Sequence, residues 1–238
     1  MIQQTRPSAA FVLQLFERNG LKPHSGFAAI LTQLDWESFS AAVEALGATL
    51  AFSCGTPRDL SRVLIGHSRT EAAGAEVIAH VAAVTPDEGH SKALRRHAAD
   101  ERRHSRIFSA LSAIAAALPA GAMAAPEAAR DSFVDEYDGD LAGFLCDTHF
   151  AEIRNVFHIG ALVRMAAHPD PSAARKIRAG LARVILDERR HVTGTARMLG
   201  QLFDADPFLP DRIRVAFAEY VKFIGREAQA AREAASRP

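Results

Sequence analysis

Asp-Glu-Arg-Arg-His stands at residues 100–104 and returns, unchanged, at residues 187–191. Each copy contains a Glu-x-x-His pair, Glu101/His104 and Glu188/His191. On an α-helix, residues three apart project about 60° apart around the axis, so one carboxylate and one imidazole face the same way. Whether that face looks into a core or out to water decides what the chain is.

Reading outward from each copy settles the direction. Around the first, Leu94, His97, Glu101, His104, Phe108 and Leu111 recur at steps of three and four. Around the second the same rhythm runs through Ile177, Leu181, Val184, Glu188, His191, Thr195, Met198 and Leu202. Two more segments carry it: Leu60, Leu64, His67, Glu71, Gly74, Ile78 and Val81, then Leu145, His149, Glu152, Val156, Ile159 and Val163. This is the spacing of helices that bury one stripe. Glu71, Glu101, Glu152 and Glu188 therefore take positions where leucine is expected, and a buried carboxylate is costly unless paired or bound to a cation.

The remaining sequence fits an all-α chain rich in Ala, Leu, Arg and Glu. Short helices are expected over 9–18, 26–34 and 36–46. Two long helical hairpins follow, 58–84 with 87–118 and 140–168 with 172–203. A last amphipathic helix, 210–234, should pack outside the bundle they form. Thr85-Pro86-Asp87-Glu88 reads as a capping turn, with Thr85 as N-cap and Pro86 at the first helical position. Pro119–Ala129 reads as the linker between hairpins. The expected organisation is an N-terminal helical extension (1–56), a four-helix bundle (57–205) and a C-terminal packing helix (206–238), compact as one domain.

Depth along the hairpins tests the four glutamates. Glu71 lies 13 residues before Val84 and Glu101 lies 15 after Pro86, so both stand roughly 20 Å from their turn. Glu152 and Glu188 are each 16 residues from theirs. Glu76 falls off the stripe. A single Glu-x-x-His is a common exposed ion-pair motif. Two copies on apolar stripes, each opposite a depth-matched glutamate, instead compose the ligand set of a carboxylate-bridged dinuclear metal site in a helical bundle. The expected ligands are Glu71, Glu101, His104, Glu152, Glu188 and His191.

Asp100 and Asp187 project beside the histidines, and ligating histidines usually donate their second N–H to a carboxylate. Asp187 is expected to serve His104, and Asp100 to serve His191. His97, one turn from Glu101, is a further ligand or a neighbour to the ligands. Gly74, Phe108, Val156 and Thr195 are the expected pocket wall.

Bulk properties restrict the rest. Lys+Arg 28 equals Asp+Glu 28, which makes no global case for nucleic acid or an anionic membrane. The arginines of both repeats, interleaved with acids, read as solvated or salt-bridged faces. Only Cys54 and Cys146 occur, far apart, so neither a disulfide framework nor an iron–sulfur module is expected. Without a signal-peptide pattern or a membrane-length apolar run, the expected compartment is the cytoplasm.

The pattern Glu71, Glu101-x-x-His104, Glu152, Glu188-x-x-His191 resembles the ferritin-like di-iron carboxylate superfamily. Its Asp-Glu-x-Arg-His form looks like the motif of bacterial multicomponent monooxygenase hydroxylases and, in its second copy, of acyl carrier protein desaturases. The resemblance covers about 58–203. It implies two iron ions bridged by Glu101 and Glu188, with Glu71/His104 and Glu152/His191 as the terminal pairs. A dimanganese or mixed manganese–iron pair stays open. It also implies O₂ activation to oxidise a small organic substrate by hydroxylation, N-oxygenation or desaturation, with electrons from an external donor or reductase. Flanking residues suit an enclosed pocket or a homodimer surface.

Ferritins keep only one Glu-x-x-His, rubrerythrins add a cysteine-ligated iron module, and bacterioferritins are shorter than this chain. Arylamine N-oxygenases of the superfamily add a histidine beside the second pair, where this chain has Val184. The competing readings are an iron-handling or peroxide-removing protein like ferritin or bacterioferritin, and a helical binding module with a structural metal.

Overall fold

The computed structural model describes residues 6–117 and 137–235, which places the expected linker Pro119–Ala129 outside the described residues. The regular structure among them is all helix, without a strand: α1 (Ala9–Arg18), α2 (Ser25–Gln33), α3 (Trp36–Ser53), α4 (Pro57–Val84), α5 (Glu88–Ala115), α6 (Leu141–Met165), α7 (Pro171–Leu202) and α8 (Leu209–Ala235). Among them no helix is long and apolar enough to cross a membrane. The chain divides into two compact units, and α6 and α7 each contribute a stretch to both.

One unit comprises Leu50–Gly139 and Ile159–Asp187. Its frame is the antiparallel pair α4/α5, which small polar residues draw together. Ser61 meets Ser112 at 2.8 Å, Ser68 donates to the Ser105 carbonyl at 2.7 Å, and Ser91 donates to the Ala82 carbonyl at 2.5 Å. As one partner advances from 61 to 68 to 82, the other retreats from 112 to 105 to 91, which is the antiparallel register. All three hydroxyls are satisfied in a buried seam, so the polar groups cost little there. α7 approaches this pair closely: a Cβ on Gly180 would lie 2.8 Å from the Leu111 side chain, so glycine permits the contact.

The other unit comprises Met1–Thr49, Asp140–His158 and Glu188–Pro238. Its core is aromatic. Trp36, Phe39, Phe217, Phe150 and Tyr220 pack with ring centroids 5.1 to 6.4 Å apart. The indole donates to the Leu31 carbonyl at 2.6 Å, and Arg154 donates to the fully buried Tyr220 hydroxyl at 3.2 Å. Polar tips on these large apolar bodies thus find partners inside the core. α8 joins through Leu209, Ile213, Phe217, Tyr220, Ile224 and Ala228, a stripe at steps of three and four.

Two local expectations change. α3 continues past Leu46 to Ser53, because Gly47 is followed by helix-competent residues and not by a turn signal. The cap of α5 is Asp87, whose carboxylate accepts from the His90 amide at 2.7 Å, whereas Thr85 ends α4 by donating to the Val81 carbonyl at 2.7 Å. A carboxylate suits the positive end of a helix better than a hydroxyl does.

Replacing that cap tests the correction. Asp87→Ala should cost about 0.5–2 kcal/mol of stability, the usual penalty for losing an N-cap. Urea titration reads the loss, and an unchanged midpoint would show that Asp87 does not cap α5.

Candidate metal centre

The long stripes expected from the sequence are interior. On α5, Leu94, His97, Glu101, His104, Phe108 and Leu111 are all buried, and on α4 so are Leu60, Leu64, Glu71, Ile78 and Val81. Glu76, off the stripe, is exposed.

In the α4/α5 unit, ligand atoms of Glu71, Glu101 and His104 lie within 4.8 Å of one another. Their residues are 6%, 4% and 0% exposed, so a charge on either carboxylate is held away from water. His104 Nδ1 is 3.2 Å from Glu101 Oε2 and 3.9 Å from Glu71 Oε2. The far side of the ring, Nε2, is 3.2 Å from Asp187 Oδ2. With Nε2 donating to Asp187, the neutral ring turns its Nδ1 lone pair toward the glutamates. That is the orientation a metal ligand needs, with a carboxylate behind the ring fixing its tautomer.

Arg103 holds the rear of this arrangement. Its guanidinium meets Asp187 at 2.7 Å and Asp100 at 2.6 Å. The Asp187 hydrogen bond above all, with Asp100 adding, pushes the guanidinium's already high pKa further up. The i,i+3 step from Asp100 to Arg103 makes that pair legible in the sequence, but the bond to Asp187 needs the register of α5 on α7. His97 Nε2 sits 3.0 Å from the other oxygen of Glu101, Oε1. Phe108 stacks on His67 at 5.1 Å between centroids. Gly74 is half-buried, one turn past Glu71, and a Cβ there would meet nothing within 4 Å.

The other unit repeats the donor set. α6 supplies Glu152; α7 supplies Glu188 and His191; the three are 4%, 0% and 6% exposed. His191 Nδ1 lies 3.4 Å from Glu188 Oε2 and 3.7 Å from Glu152 Oε2, the same face-on arrangement as His104. Val156, one turn beyond Glu152, is buried. Thr195 proves to have a specific partner: its hydroxyl points at the carbonyls of His191 and Val192, at 2.9 and 3.1 Å, and accepts from His149 Nδ1 at 2.8 Å.

Phe16, Phe27 and Phe150 surround His149 at 6.2, 5.6 and 5.5 Å between centroids. Burial pushes its pKa down to about 3 despite the nearby Glu152 charge, so the ring is neutral. This bond was invisible in the sequence, where His149 and Thr195 are only two members of separate stripes.

Buried glutamate and histidine donors are gathered that could hold a metal ion. The donor chemistry fits a cation: oxygen and imidazole ligands suit zinc, iron or manganese, and paired buried carboxylates are otherwise held at a cost.

Two outcomes follow from this geometry. Asp187→Asn should weaken metal affinity by about 10–100-fold with the helical content unchanged, because it replaces the charged acceptor behind His104 with a neutral amide. Chelator competition measures it, and affinity equal to wild type would reduce Asp187 to a partner of Arg103. His149, with its folded pKa near 3 against an ordinary 6.5, stays unprotonated when folded and takes up a proton on unfolding. Its contribution is therefore present above pH 6.5 and is lost as pH falls toward 3. The stability gap between wild type and His149→Gln, measured metal-free by urea at pH 7 and pH 4.5, should narrow at the lower pH.

Comparison of the chain with family models, with curated proteins and with solved structures finds no match.

Proposed function

We propose that the protein is an O₂-dependent oxidoreductase of ferritin-like type, using a non-haem di-iron centre to oxidise a small organic substrate. The observation that carries this reading is the repeated triad: one glutamate from a neighbouring helix joined to a Glu-x-x-His, with each histidine's Nδ1 facing its glutamates. Carboxylate-rich donor sets suit redox iron better than a structural ion, for which coordinatively closed sulfur- and nitrogen-rich sets are usual. Iron bound there would supply the electrons and open coordination positions for O₂ chemistry.

The protein's part is to hold, orient and exclude. Glu71, Glu101 and His104 would take one ion, and Glu152, Glu188 and His191 the other. By the resemblance, Glu101 and Glu188 would be the shared ligands. Asp187 would hold His104 in the ligating tautomer, and Arg103 holds the Asp187 carboxylate in place through its hydrogen bond. On the other triad's helices, Thr195 fixes the His149 ring. Phe108 and Val156 would keep water from the apolar flanks, and Gly74 would line the substrate side.

The alternative, an iron-storage or peroxide-removing protein, would use the same ions differently, and iron loading separates the two. Anaerobic titration with Fe(II), followed by stopped-flow mixing with O₂, should show uptake ending at about two irons per chain. Oxidation should occur once per reduction. Uptake far beyond two irons per chain would establish storage. Glu101→Ala and Glu188→Ala should each lose both ions if those carboxylates bridge. Loss of one ion from each variant would mean two independent mononuclear sites.

A further inference from the structure

The acids and bases that alternate in Asp-Glu-Arg-Arg-His separate in space. On α5, Glu101 is buried and Asp100 faces Arg103, while Arg102 is exposed. Every exposed residue of α5 between Ser91 and Leu111 is Lys92, Arg95, Arg96, Arg102, Arg106 or an alanine. Arg95 reaches Glu88 at 3.6 Å. The stretch of α7 in the same unit behaves alike: Arg175, Lys176, Arg178 and Arg183 are exposed, and no exposed acid lies between Pro171 and Leu186. Three acids of the same unit, Glu71, Glu101 and Asp187, are inside, and its exposed acids, Glu76, Asp87 and Glu88 among them, lie outside these two stretches. A chain of zero formal charge thus presents basic outer faces on this unit.

We propose that the outer face of α5, from Lys92 to Arg106, docks a small acidic electron-carrier protein. The partner's class rests on the oxidoreductase reading above. The cations span about 21 Å along one helix, a footprint that suits the small, electrostatically steered encounters of redox partners. Single-stranded nucleic acid is disfavoured, because alanines and not aromatic rings separate the cations, which leaves no surface for stacking bases.

The position matters as much as the charge. This face is the reverse of the helix whose inner side carries Glu101 and His104, and a helix is only about 10–12 Å across. Each reduced carrier docked there gives up one electron and leaves oxidised. Two such encounters would supply the two electrons that a ferric pair held by these residues needs to return to the ferrous state.

The test uses the iron-loaded full-length protein with an acidic plant-type [2Fe–2S] ferredoxin as probe. Calorimetric titration should show binding that weakens steeply with added salt and falls at least tenfold in the double variant Arg102→Glu/Arg106→Glu. Arg226→Glu, an exposed change on α8, should bind as wild type does. Circular dichroism and iron content confirm that each variant is folded and loaded. Affinity unchanged in the double variant, or equally weakened by Arg226→Glu, would overturn the proposal. So would tighter binding of a 20-base-pair DNA duplex than of ferredoxin at physiological salt. Dithionite reduction and O₂ reoxidation without carrier read the oxidoreductase proposal alone: iron that does not cycle sinks that reading, while the binding arms still judge the docking face.

Discussion

Four glutamates point into helical interiors, and the surrounding structure answers the cost of holding them there. An ionised carboxylate out of water is unfavourable by far more than one helix contact can return. Each of Glu71, Glu101, Glu152 and Glu188 is at most 6% exposed, and each faces the Nδ1 of a histidine on a neighbouring turn or helix. Histidine is the natural companion because one ring nitrogen can face a cation or a carboxylate while the other is held elsewhere. From this follow the aspartate behind His104 and the arginine behind that aspartate, which carry charge from the buried interior to the half-exposed surface in successive steps.

The aromatic unit solves a related problem by a different route. His149 is as buried as any candidate ligand histidine, yet it is made safe by neutrality, with its one donor spent on Thr195 and phenylalanines around the ring. The two kinds of interior histidine differ in what lies beside Nδ1: a hydroxyl in one case, carboxylates in the other. That difference separates a packing residue from a candidate ligand more sharply than burial does.

Much of this was legible in the sequence because helices repeat at 3.6 residues, and a stripe can be counted without coordinates. The positions of Glu71, Glu101, His104, Glu152, Glu188 and His191 on interior faces follow from that counting, as does the exposure of Glu76. What escaped depends on register or on competition between neighbours. The Thr195–His149 bond and the Arg103–Asp187 bond join residues 46 and 84 apart in the chain, and no local pattern sets that alignment. The cap of α5 was misplaced by two residues because Thr85 and Asp87 both offer an oxygen on either side of Pro86, and only the geometry of the turn chooses. The reading of the repeat arginines as solvated or salt-bridged agrees with the exposed Arg102 and the paired Arg103; the separation of exposed cations from buried acids escaped because adjacency in sequence hides a 100° rotation between neighbours on a helix.

The serine seam of α4 and α5 bears on the order in which the chain takes shape. Glu71, Glu101 and His104 all belong to one hairpin whose turn is a few residues long, and its contacts are local compared with those to later helices. Local contacts close with the least loss of chain entropy and tend to form early. As the chain leaves the ribosome, this hairpin has every glutamate and histidine of its own triad once α5 is complete, before α6 exists. Asp187 arrives much later, with α7. A cation captured at the first stage would be held by an imidazole not yet fixed from behind, and the last helices would lock in place a site already begun.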